Sequence, residues 1–168
     1  MKTLPAFCFL LSLLLAPAGL CSCGAPGKEL DPPAGGEQPG GTVPDEKNEE
    51  ETMNRKITLT VGEASFAATL EDTAAAAALL ERLPMTLEMS ELNGNEKYFY
   101  LSGSLPADAF RPGTIRAGDL MLWGSDCLVL FYKTFDSAYS YTRLGALDDP
   151  SGLAEALGNG SVTVRFGK

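Results

Sequence analysis

The 168-residue chain predicts a mainly β fold: a closed β-barrel capped by two short helices, set behind an export signal and an acidic tether. Three observations predict it. From residue 56 onward, short β-branched or aromatic runs follow one another at strand length, separated by turn residues. Only two stretches, residues 74–83 and 148–157, carry helix-forming composition. Many short strands with few helices bury one face and lose their edges by closing on themselves.

The N-terminus specifies an address. Lys2 supplies a positive start, residues 7–15 form an almost unbroken apolar run, and small residues lead to Leu20-Cys21-Ser22-Cys23. Basic, apolar, small, cysteine is the order of a bacterial lipoprotein signal. The run is shorter than the about 20 apolar residues of a membrane-spanning helix. A lipoprotein signal peptidase takes a small residue just before the cysteine and a Leu-like residue three before it. Cys23 has Ser22 and Leu20 in those places, whereas Cys21 directly follows the bulky Leu20. Residues 1–22 are therefore assigned to the signal and Cys23 to lipidation. Cys21 is the competing site, and conventional cleavage after Pro17, Ala18 or Gly19 is the plain alternative. Acyl chains add roughly 0.8 kcal/mol per buried methylene, so the expected partner is a membrane. The expected location is the outer side of the cytoplasmic membrane, or the outer membrane.

Residues 23–54 read as a disordered Gly/Pro-rich tether. Residues 24–54 carry eight acids and two lysines, a net charge of −6, whereas residues 55–168 carry −4. Like charge and few apolar side chains leave such a segment unable to offset the entropy of ordering. A random-coil estimate gives it roughly 30 Å of reach. Neither part is basic enough for nucleic acid.

Residues 55–168 form one domain, long enough for a single core. Residues 56–61 (KITLTV) alternate as a first strand, 62–64 turn the chain, and 65–70 return. Asp72 is a candidate N-cap for the alanine- and leucine-rich helix 74–83, which Pro84 ends. Residues 85–89 alternate, Asn93-Gly94-Asn95 turns, and 98–101 form an aromatic strand. Residues 102–118, with three glycines and two prolines, read as a long ordered loop. Residues 120–123 and 127–132 form a hairpin around Gly124-Ser125-Asp126. Residues 134–139 are irregular, and 141–147 form a further strand. Pro150 lies near the first turn of the helix 148–157 and Gly158 just past its end, before a last strand at 162–166.

Absences narrow the chemistry. The chain has no histidine, which excludes serine–histidine triads and histidine metal sites. Cys127 is the domain's only cysteine, so no internal disulfide forms there, and its apolar run suits core packing. The pairs Glu88/Glu91 and Asp148/Asp149 suit solvated or capping roles better than acid–base work. No nucleotide loop, metal or cofactor is expected, and no catalytic residue is assigned. Binding candidates are aromatic: Tyr98 and Tyr100 share one face of a strand, and Trp123, Phe131, Tyr132, Phe135, Tyr139 and Tyr141 cluster downstream. Tyr and Trp combine apolar area with a polar tip, as a cleft for peptides or small molecules requires. Arg111 and Arg143 are candidates for a cationic contact with a ligand carboxylate or carbonyl. The ligand-binding candidates are Tyr98, Tyr100, Arg111, Trp123, Tyr132 and Arg143.

The stretches LEMSELNGNEKYFYLSGSLP (residues 87–106), RPGTIRAGDLMLWGSDCLVLFYKTF (111–135) and YSYTRLGALDDPSGLAEAL (139–157) resemble a family of small bacterial cyclophilin-like proteins. Gly118-Asp119, Trp123, residues 127–132 and Thr142-Arg143-Leu144-Gly145 are its most specific part. The resemblance spans residues 56–167 and implies a closed barrel capped by helices, as in peptidyl-prolyl isomerases. Activity does not follow from fold. True cyclophilins carry Phe-His-Arg followed by Phe-Met-x-Gln; this chain lacks both, and its last glutamine is Gln38. Trp123 stands in no matching motif. The sequence thus points to a non-catalytic binding module for a peptide or small ligand. A divergent prolyl isomerase or folding helper for exported proteins is the alternative, with Arg111, Arg116 or Arg143 as its electrophile.

Overall fold

In a computed structural model, residues 46–168 are described. The signal, Cys23 and most of the tether lie outside the described residues. Eight antiparallel strands close in the order β1-β10-β3-β4-β7-β6-β9-β2. They are β1 (Lys56–Val61), β2 (Ala64–Leu70), β3 (Met85–Leu92), β4 (Glu96–Tyr100), β6 (Asp119–Trp123), β7 (Cys127–Phe131), β9 (Thr142–Leu147) and β10 (Val162–Gly167). A separate two-stranded sheet pairs β5 (Gly113–Ile115) with β8 (Phe135–Ser137).

Alternation decides which side chains enter the barrel. Ile57, Leu59 and Val61 of β1 meet Phe66, Ala68 and Leu70 of β2, and Val164 and Phe166 of β10 complete that wall. Two helices, α2 (Ala74–Glu81) and α3 (Leu153–Leu157), add Ala75, Ala76, Leu79, Leu153 and Leu157 to the same cluster. Their alanines let α2 lie close to the sheet. Gly145 marks a close approach between β9 and β2. A Cβ there would stand 2.4 Å from the Thr69 carbonyl oxygen and 2.9 Å from Leu70 Cα, so β9 reaches β2 only without a side chain.

Several local expectations change. The N-cap of α2 is Thr73, not Asp72: its hydroxyl accepts from the Ala76 N–H at 3.2 Å. Thr73 has the extended backbone an N-cap needs (φ −137°, ψ 157°). The second helix covers only Leu153–Leu157. Asp148 instead binds Lys56 Nζ at 2.8 Å and Thr69, while Asp149 accepts from Ser151 N–H, which shapes a turn before Gly152 at φ +78°. The loop at 102–118 contains β5, and the irregular 134–139 segment contains its partner β8. Each is three residues long, too short for alternation to register.

A helix α1 (Glu46–Met53) occupies the end of the stretch read as tether. No glycine or proline follows Pro44 there, and Glu, Lys and Met are good helix formers. Arg55 joins it to the barrel, donating to the Glu51 carbonyl at 3.3 Å and the Leu70 carbonyl at 2.8 Å. No described helix is long and apolar enough to cross a membrane.

Candidate functional site

Strands β6 and β7 are buried on both faces except at Trp123. Their inner residues fill the barrel. Their outer residues (Met121, Cys127, Val129 and Phe131) form a second apolar cluster with Ile115 of β5 and Tyr141. The register extends this outer face onto β4, because Tyr98 pairs with Val129, Tyr100 with Cys127, and Cys127 with Trp123. Successive odd-face residues of β4 therefore place Glu96, Tyr98 and Tyr100 in line.

A cavity of about 370 Å³ opens on this face. Tyr98, Tyr100 and Trp123 line it from the barrel, and Phe135, Tyr139 and Tyr141 line it from β8 and the segment after it. Tyr98 and Tyr100 meet edge to face, with centroids 5.9 Å apart and an 82° interplanar angle. Phe131 ties the other side together, standing 5.5 Å from Tyr141 and 5.7 Å from Phe135. Such ring pairs hold their partners in orientation as well as burying area. Tyr100, Trp123 and Tyr139 are about half exposed or more, which is unusual for rings this large and marks the mouth.

The polar part of the cavity is small and one-sided. Glu96 lines it and is 7% exposed. Burial, aided by the nearby Glu91 charge, raises its carboxyl to about 7. Asn95 also lines the cavity, and its buried Oδ1 has no hydrogen-bond partner among the described residues. Burial pushes the Cys127 thiol up to about 11, so it stays protonated at neutral pH and packs as a small apolar group.

The structure brings together three of the six expected binding residues: Tyr98, Tyr100 and Trp123. Tyr132 goes elsewhere. It falls one residue out of phase with the outer face and points inward, where its hydroxyl donates to Glu91 at 2.8 and 2.9 Å. Arg143 pairs with Asp119 at 3.2 Å and lies 6.0 Å from the Phe110 ring. It borders a second cavity with Phe110, Thr142 and the first residues of α2. Arg111 is exposed and lines neither cavity. The charged group expected at the aromatic site is thus an acid rather than an arginine. The signal that points to Glu96 is its phase: Glu96, Tyr98 and Tyr100 alternate, so a strand starting two residues earlier than 98 puts the carboxylate among the rings.

A closed antiparallel barrel, with helices joined to its core and an aromatic cavity on its outer face, defines the class as a small β-barrel domain of cyclophilin-like architecture. The chain belongs to the cyclophilin-like family, whose model matches residues 59–167. No curated protein matches it, and no solved structure does.

Proposed function

We propose that this protein is an exported lipoprotein, anchored through Cys23, that displays a cyclophilin-like domain as a non-catalytic binding module for a peptide or small ligand. The observation that carries the reading is the outer-face cavity: about 370 Å³, six aromatic rings, and no lysine or arginine among its lining residues. Its size falls in the range of small-ligand sites, and its few polar groups sit among apolar walls. The export half rests on the order of residues 2–23.

A prolyl isomerase needs a donor to the amide nitrogen beside an apolar pocket. One observation favours that second reading: Arg143 and Phe110 share the second cavity. Against it, the Arg143 guanidinium is engaged by the buried Asp119, which also accepts from the Arg116 backbone N–H at 2.8 Å. The full chain in detergent, assayed on unstructured Xaa-Pro peptides, is expected to give no acceleration above background. Acceleration that Arg143→Ala removes would replace the binding reading with the catalytic one.

The anchor has its own test. Cys23→Ser is expected to move the protein from the membrane fraction to the soluble fraction, and mass spectrometry of the wild-type N-terminal peptide is expected to show acyl mass on Cys23. Acyl mass on Cys21, or an unmodified N-terminus nearer residue 19, would reject the assignment.

A further inference from the structure

Two acceptor-bearing side chains beside the aromatic cavity stand without a hydrogen-bond donor among the described residues. Glu96 is 93% buried, yet no hydrogen bond or ion pair to its carboxyl exists among the described residues. Its sequence neighbour Lys97 cannot serve it. Strand alternation sends Lys97 to the inner face, where its ammonium is held by Glu91, the Gly158 carbonyl at 2.9 Å and the Gly160 carbonyl at 2.6 Å. The second acceptor is Asn95 Oδ1, buried and without a partner. Buried charges in folded proteins are normally paired, and buried acceptors normally bonded. Both residues line one cavity with room for another molecule.

The walls favour the same kind of guest. Tyr98, Tyr100, Trp123 and Tyr141 line the cavity, and the face of a Tyr or Trp ring attracts a cation. An anionic ligand would meet Glu96 with no cation among the lining residues to offset it. A neutral apolar ligand would leave both acceptors without a donor. A quaternary ammonium satisfies charge but brings no N–H to the Glu96 carboxylate.

Building on the binding reading above, we propose that the cavity takes an alkylammonium group. The charged N–H head meets the Glu96 carboxylate, and the aromatic rings flank its methylene stem. The same chemistry comes from a free alkylamine or from a lysine side chain of a peptide.

Trp123 is the chain's single tryptophan, lines the cavity and is half exposed, so its fluorescence reports occupancy directly. The full chain in detergent is titrated at constant ionic strength with n-butylammonium chloride, sodium butanoate, tetramethylammonium chloride and n-butanol. The expected result is a saturable change with butylammonium and at least tenfold weaker responses to the other three. Glu96→Gln, which keeps side-chain size, is expected to weaken butylammonium at least tenfold. A blocked Ala-Lys-Ala peptide and its norleucine counterpart identify the source. Preference for the lysyl peptide over butylammonium assigns a peptide side chain, and the reverse assigns a small amine. Butanol or butanoate binding as well as butylammonium, or butylammonium binding unchanged in Glu96→Gln, overturns the ammonium assignment while leaving a ligand-binding groove. No saturable response to any probe overturns both.

Discussion

Replacing Lys97 by Met is expected to cost about 3–5 kcal/mol of stability, the range for breaking a buried ion pair from one side. Lys97 is fully buried, and its ammonium holds one mouth of the barrel together. It pairs with Glu91 at 2.5 Å and donates to two carbonyls of the 158–160 turn, with the Tyr132 ring centroid 5.5 Å away. Glu91 also accepts from Tyr132 and from the Gly94 N–H at 2.8 Å, so β3, β4, β7 and the turn before β10 all converge there. Burial by itself would raise the Glu91 carboxyl, but the Lys97 ammonium and the Tyr132 hydroxyl hold it below its ordinary value. Burial pushes the Tyr132 hydroxyl up to about 12, with Glu91 adding to the effect, so it remains a donor throughout the accessible pH range.

Met matches the lysine stem in bulk but brings no donor, leaving two carbonyls unmet and the Glu91 charge without its cation, held only by Tyr132 and the Gly94 N–H. A domain of this size has roughly 5–15 kcal/mol in total, so the variant is expected to be near the edge of folding. Urea unfolding monitored by circular dichroism measures it as a lower midpoint at unchanged slope. The double variant Lys97→Met/Glu91→Leu is expected to recover part of the loss, since it removes the stranded charge. A loss under 1 kcal/mol in the single variant would mean that this network contributes nothing beyond packing.

The second large effect runs in the opposite direction. Glu96→Gln is expected to stabilise the protein at pH 8 by up to about 3 kcal/mol, at 1.36 kcal/mol per pKa unit. The folded carboxyl titrates near 7 and the unfolded one near the ordinary 4.5. Below pH 4.5 both states hold the proton and Glu96 has little influence on stability. Between 4.5 and 7 the folded state keeps a proton the unfolded state has lost, so stability falls as pH rises, and above 7 the full penalty applies. Glu91 has the opposite sign: its folded value is lowered, so its stabilisation is lost on acidification. Because Glu91 is present in both proteins, most of its contribution cancels in the comparison. The variant's advantage, measured by urea unfolding, should therefore be small at pH 4.5 and large at pH 8. An advantage equal at both pH values would show that Glu96 is not a desolvated carboxyl. If the same variant also loses butylammonium, the site holds a destabilising charge that its ligand offsets, a common relation between stability and function.

These two residues show where sequence reading stops. Alternation over residues 56–61, 65–70 and 162–166 is legible because one face of each strand is buried and the other wet, and those strands stand close to where the pattern puts them. The 124–126 turn between two apolar runs made the β6–β7 hairpin readable. The aromatic face was half readable: Tyr98, Tyr100 and Trp123 do meet, because period-two alternation and the hairpin register bring them together. Tyr132 was misplaced by one residue of phase, which in a strand moves a side chain to the opposite face.

By itself, the sequence determined the mainly β class, the barrel with its helices, the absence of histidine chemistry and the resemblance that the family match bears out. Those properties are local or compositional: they depend on period, turn residues and residue types read along the chain. Only the tertiary structure decided that β5 and β8 pair, that β6 and β7 are buried on both faces, and that adjacent Glu96 and Lys97 part company. The physical reason is that burial and pairing are set by what lies across space. Lys97 meets a carboxylate from β3 and carbonyls more than sixty residues away, while Glu96, one position earlier, faces a cavity that supplies no cation.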